Sequence, residues 1–154
     1  MAMRLIILFF TFLHHSSSFG QPFLGEWSGE FANNKMSVVK PFAAKLLFKK
    51  DLNGELESYS ISYYKTKESI DSIICKLNFL TNKGDRYFFR EAEILNSNSS
   101  FIDSHCFQII HFIIGKRKKE NYLHCRFIED IEGNEDDEEG KCTYGFLNLY
   151  KHKK

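Results

Sequence analysis

The sequence predicts an all-β fold: an antiparallel up-and-down barrel of about eight or nine strands, stapled by disulfides, with a β-sandwich as the alternative. Three observations predict it. Apolar and polar residues alternate with period two along much of the chain, and no window carries a helical stripe. Aromatic residues are dense, with Phe 16, Tyr 7 and Trp 1, whereas Pro is confined to Pro22 and Pro41, a balance that suits pleated, half-buried surfaces. Turn-forming clusters break the alternation at short, regular intervals.

The chain opens on Arg4, the nine-residue apolar run Leu5 to Leu13, and a small-residue stretch ending at Ser18 and Gly20. That order is the signature of a secretory signal peptide over residues 1–20, cleaved before Gln21. The apolar run is too short for a spanning helix, which needs about 20 residues. A secreted, extracellular protein with no membrane insertion after cleavage is therefore expected. Residues 21–154 then form one domain, large enough for a core of its own. The leader holds one basic residue, so the remainder balances 20 basic against 20 acidic residues. Such a balance leaves no bulk field for nucleic acid.

Strands are expected at Leu24 to Phe31, Met36 to Val39, Lys45 to Lys50, Glu57 to Tyr63, Ile73 to Phe79, Arg86 to Ile94, Ser104 to Ile113, Tyr122 to Phe127 and Cys142 to Tyr150. Ala43 to Lys50 and Thr66 to Ile73 also admit a helical turn. In the fourth of these strands Tyr59, Ile61 and Tyr63 face one way and Ser58, Ser60 and Ser62 the other. In the fifth, Ile73, Cys75, Leu77 and Phe79 share a face. Turns fall at Asn33-Asn34, Asp51 to Gly54, Asn82 to Asp85, Asn96 to Ser100 and Gly115 to Lys119.

Cys75, Cys106, Cys125 and Cys142 are an even set in an exported chain, which suggests two disulfides with three possible connectivities. Cys75–Cys106 and Cys125–Cys142 are the favoured pairs, each stabilising by about 3–4 kcal/mol in the chain-entropy model. A zinc site lacks any Cys-x-x-Cys spacing. Asn98-Ser99-Ser100 is a glycosylation sequon.

Gly25-Glu26-Trp27, within Phe23 to Phe31, resembles the Gly-x-Trp opening of lipocalin-like, or calycin, barrels, and Gly29 is similar to a glycine of first strands in that superfamily. The resemblance implies that Trp27 plugs one end of the barrel and that the first strand starts there. It also implies a role in holding small apolar molecules. The family's arginine that packs on this Trp has no matched position here, Arg126 included, and avidin-type biotin-binding residues have no counterpart. Gly25 and Trp27 are thus expected to be structural, with Gly25 and Gly29 allowing close backbone approach.

No cofactor, metal site or catalytic residue is expected, and no ligand-binding residue is assignable. His111 and His124 fall on strands that can be neighbours, but without a carboxylate at ligand spacing the solvent-facing reading of both histidines is favoured over a two-His metal site. His105 next to Cys106 does not make a nucleophilic pair if both lie on a strand, because adjacent strand residues face opposite ways. Eight acidic residues occupy the eleven positions from Glu129 to Glu139, a density expected of a solvated, self-repelling loop. Lys116 to Lys119 and the Lys151 to Lys154 tail form the basic counterpart.

The expected function is therefore a non-enzymatic binding protein. It would take a small apolar ligand inside the barrel or an extracellular protein or glycan through its loops. The first alternative is a secreted hydrolase using carboxylates such as Glu91 and Glu93, and the second a structural or inhibitory module.

Overall fold

The computed structural model describes residues 21–31, 41–99, 102–118, 120–130 and 145–151. Eight antiparallel strands close into one up-and-down barrel in the order β1-β2-β3-β4-β5-β6-β7-β8. They are β1 Gly25–Glu30, β2 Pro41–Lys50, β3 Leu56–Lys65, β4 Ile70–Lys83, β5 Arg86–Ser97, β6 Gln108–Arg117, β7 Glu120–Glu129 and β8 Gly145–Lys151. Among the described residues the only helical piece is the 3-10 turn Ile102–Ser104. The ring is closed where Trp27 and Ser28 of β1 pair with Lys151 and Tyr150 of β8, which excludes the two-sheet sandwich.

Several expectations are revised. Ala43 to Lys50 is wholly strand, and the chain from Thr66 turns without a helix before β4 begins at Ile70. Ser104 to Phe107 precedes β6 rather than opening it. The leader, the Met36 to Val39 strand, the Asn33-Asn34 turn, the acidic stretch beyond Asp130, Cys142 and the last three lysine-rich positions lie outside the described residues.

Tight turns gather at one end of the barrel, called here the turn end. Asp51 Oδ1 accepts from the backbone N–H groups of Asn53 and Glu55, both at 2.8 Å, an Asx-type turn that sets the β2–β3 hairpin. Gly54 and Gly84 adopt φ of 83° and 64°, a region that favours glycine. The opposite end carries the tight Thr66–Ser69 turn between β3 and β4 together with the β1–β2, β5–β6 and β7–β8 connections.

The turn-end half of the interior is aromatic. Phe23 folds across the barrel mouth and meets Tyr87, Phe48, Phe112 and Phe89 with ring centroids 4.8, 5.0, 5.6 and 5.9 Å away. These edge-on contacts suit the ring quadrupoles. Trp27 is fully buried beside them, and its Nε1–H donates to the Phe23 carbonyl at 2.6 Å, so its polar atom is satisfied inside the core. The cation above the Trp27 ring is Lys151, with Nζ 5.4 Å from the centroid. Arg126 instead lies over Phe146 on the outer face. A Cβ on Gly29 would collide with the Asn148 carbonyl across the β1–β8 seam. At this joint the backbones approach too closely for a side chain.

On β3 the alternation is present, but the polar face points inward. Ser58, Ser60 and Ser62 are buried, while Tyr59 packs outside, beneath the Lys49 ammonium. Phase along β5 is broken by register shifts against β4, the ladder slipping between Lys76 and Leu77 and again between Ile74 and Cys75. Glu91 faces inward in phase with Phe89, and the slip beyond it leaves Glu93 facing outward. A bulge adds one residue to a strand and reverses the phase beyond it.

Cys75 and Cys125 are buried free thiols, so the favoured bridges Cys75–Cys106 and Cys125–Cys142 are not formed. The reason is local. The 3-10 turn brings His105, not Cys106, against Cys75, with Nε2 and Sγ 3.3 Å apart. Cys125 is enclosed in the apolar core, where burial pushes its thiol well above its ordinary 9.0.

Candidate functional site

The half of the barrel away from the turn end holds a buried polar cluster. It is built from β3 (Ser60, Tyr64), β4 (Cys75), β5 (Glu91) and the segment after the 3-10 turn (His105). The Glu91 and His105 side chains are 1% and 2% exposed. Glu91 is satisfied by three neighbours: Ser60 Oγ donates to Oε1 at 2.5 Å, the Gln108 N–H donates to Oε2 at 3.2 Å, and His105 Nε2 lies 3.1 Å from Oε2. On the other side of its ring, His105 Nδ1 meets Tyr64 OH at 3.2 Å. Burial, reinforced by the Glu91 carboxylate, pushes both the Cys75 thiol and the Tyr64 phenol up.

A thiol, an imidazole and a carboxylate in contact invite comparison with a nucleophilic triad, but the arrangement lacks the triad's order. In a triad the nucleophile and the orienting acid use opposite ring nitrogens. Here Cys75 and Glu91 both address Nε2, while Nδ1 is taken by Tyr64. A thiol whose pKa is raised by burial is also a poor source of thiolate. The cluster is suited to holding a group between three donors rather than to attacking one.

The structure separates the other sequence candidates. Arg90 does not pair with Glu91 or Glu93; its Nε forms an ion pair with the buried Asp130 carboxylate at 2.8 Å, which removes Asp130 from the solvated acidic run. Glu91 and Glu93 face opposite ways and make no carboxylate pair. His111 stacks on Phe88 and His124 on Phe146, with His124 Nδ1 2.8 Å from Asn148 Oδ1. The register sets them opposite Arg126 and Ile113 rather than each other. Asn98 is exposed, and its Oδ1 accepts from the Ser72 N–H at 2.6 Å.

Neither Ser60 nor Tyr64 nor Cys75 is marked by sequence as part of a polar site. The one usable signal is Glu91, an acid in phase with the apolar Phe89 on a strand whose other face carries Arg90.

A second feature lies outside the barrel wall. β3 and β4 pair from Lys65↔Ile70 to Tyr59↔Lys76 and then part. β4 runs on to Lys83, paired with β5 alone, and among the described residues nothing pairs its other edge. A surface groove of about 670 Å³ occupies the split. Tyr59, Phe79 and Leu95 supply apolar lining, and Asp51, Glu55, Glu57 and Glu93 supply carboxylates. Among the described residues that line it, Lys76 is the one cation; Glu57 is already paired with Lys49 at 2.8 Å. Phe79, Leu80 and Leu95 are left 44–48% exposed.

The chain matches no model of a known protein family and no curated protein.

Proposed function

We propose that this is a secreted, non-enzymatic binding protein of the calycin type that captures an extended, basic polypeptide segment along the free edge of β4. One observation carries the reading: among the described residues, β4 beyond Lys76 is hydrogen-bonded on one side only, beside a groove rimmed by carboxylates. An unpaired edge is a template for an added strand, whose backbone bonds give affinity while side-chain pockets give selectivity. The acidic rim favours Lys- or Arg-bearing partners, and Phe79 and Leu95 offer contact for alternating apolar side chains. The filled aromatic half supports a macromolecular partner over a small apolar ligand within the barrel. The separation of Glu91 from Glu93 and the misordered Cys75–His105–Glu91 contacts support binding over hydrolysis.

Export, cleavage before Gln21 and a glycan on Asn98 belong to the same proposal. With Cys75 and Cys125 free, Cys106 and Cys142 are the pair left for a single disulfide, which peptide mapping of the non-reduced secreted protein tests.

The binding test uses two fluorescent decapeptides, alternating Lys–Val and alternating Glu–Val, titrated in anisotropy at physiological and high salt. The Lys–Val probe is expected to bind, with affinity falling as salt rises, and the Glu–Val probe is not. Glu93→Lys with Glu55→Lys is expected to reverse the preference. Equal binding of both probes, or no effect of the charge reversal, would sink the proposal.

A further inference from the structure

We propose that Cys75, Glu91 and His105 form a three-ligand site for a borderline divalent cation of the zinc type, inside the barrel and separate from the β4 edge. The three donor atoms all lie within 4.8 Å of one another, with Sγ–Nε2 at 3.3 Å and Nε2–Oε2 at 3.1 Å. Bond lengths of about 2.0–2.3 Å in a tetrahedron place neighbouring ligand atoms about 3.3–3.6 Å apart, close to the Sγ–Nε2 and Nε2–Oε2 separations, and rotation of the Cys75 and Glu91 side chains sets the third spacing.

The surroundings hold the donors in a ligating orientation. Tyr64 OH sits at 3.2 Å from Nδ1 and can accept its proton, which leaves the Nε2 lone pair directed at the shared space. Ser60 holds Oε1 at 2.5 Å, so Oε2 is the oxygen turned toward Nε2 and Sγ. Such outer partners fix the tautomer and geometry of metal ligands. Without an ion, a neutral ring with its proton on Nδ1 points the Nε2 lone pair at the Oε2 lone pairs, and the other tautomer, with the proton on Nε2, serves only one of Sγ and Oε2. A cation satisfies all three donors together.

The donor set selects the ion. One sulfur, one imidazole nitrogen and one carboxylate oxygen suit zinc or cobalt(II) and disfavour calcium and magnesium, which take oxygen ligands. Three protein ligands leave a fourth position for water or a small anion, as in open zinc sites. The burial of the site means that loading accompanies folding.

The test loads the full chain by refolding it with cobalt(II) and, separately, with zinc. Cobalt is expected to bind with one-to-one stoichiometry and to give a thiolate-to-cobalt charge-transfer band, which zinc abolishes by displacement. Cys75→Ser should remove that band while Cys125→Val retains it, and His105→Gln should weaken cobalt binding at least tenfold. X-ray absorption of the zinc-loaded wild-type protein gives an answer that depends on no variant: one sulfur in the first shell supports the site, and a shell of nitrogen and oxygen alone overturns it. A charge-transfer band that survives Cys75→Ser, or no band from correctly folded protein, also overturns it. Both readouts are independent of peptide binding at the β4 edge.

Discussion

The two halves of the barrel interior are filled on different principles. Toward the turn end, Phe23, Phe48, Phe89 and Phe112 pack ring against ring, with Trp27 in the same buried apolar cluster. Each ring loses only area and contact if its neighbour changes shape. In the other half, Ser60, Tyr64, Cys75, Glu91 and His105 are held by directed contacts, and removing one member takes a polar partner from its neighbours. Apolar filling is tolerant and supplies stability, whereas polar filling is intolerant and specifies which group sits where.

The largest effect belongs to the aromatic half. Trp27→Ala deletes its largest fully buried side chain and is expected to cost about 4 kcal/mol, since large-to-small core changes combine lost transfer energy with a residual cavity. Urea unfolding with an unchanged slope measures it. Trp27→Phe should recover more than half of the loss. A cost below about 1 kcal/mol for Trp27→Ala would mean that the rings do not support the closed barrel.

A smaller effect, with a different pattern, distinguishes the polar half. With a chelator present, Glu91→Leu removes the carboxylate acceptor shared by the Ser60 hydroxyl, the Gln108 N–H and His105, and is expected to cost about 3 kcal/mol. The double variant Glu91→Leu with His105→Leu should cost less than the sum of its single changes by about 1–2 kcal/mol, because neighbours in one network couple. Strict additivity of the two changes would show that the cluster is a set of independent contacts.

This contrast also explains what the sequence revealed. The barrel was legible because turns and period-two alternation are local, and Trp27 was legible because Gly25-Glu26-Trp27 stands in one short stretch. The polar cluster was not, for four reasons. Alternation on β3 identifies two faces without saying which is inside, and the more apolar Tyr59–Ile61–Tyr63 face is the outer one. The slip between β4 and β5 beyond Glu91 turns Glu93 outward although the two acids share one sequence phase, so the sequence does not tell which of them is inside. Ser60 and Glu91 satisfy each other across 31 positions, and neither residue alone marks the pairing. His105 reaches Cys75 only because a 3-10 turn interrupts what reads as a strand start.

The smallest effect asks whether the tolerant half remains indifferent when a charge is forced on it. Cys125 is the titratable group enclosed there, and desolvation raises its thiol well above 9.0. Above pH 9.0 the unfolded chain releases this proton while the folded chain keeps it, so the unfolded state binds fewer protons. Stability from this group is therefore complete below pH 9.0 and is lost as pH rises beyond it. Thermal unfolding between pH 8 and 10.5 should show a falling Tm in the wild type and a shallower fall in Cys125→Val, a near-isosteric change that removes the ionisable atom. Tyr64 and Cys75 titrate in the same direction, so a residual slope in the variant is expected. Parallel slopes in the two proteins would mean that Cys125 ionises without resistance, and an interior that admits a thiolate so readily is wet rather than sealed by its rings.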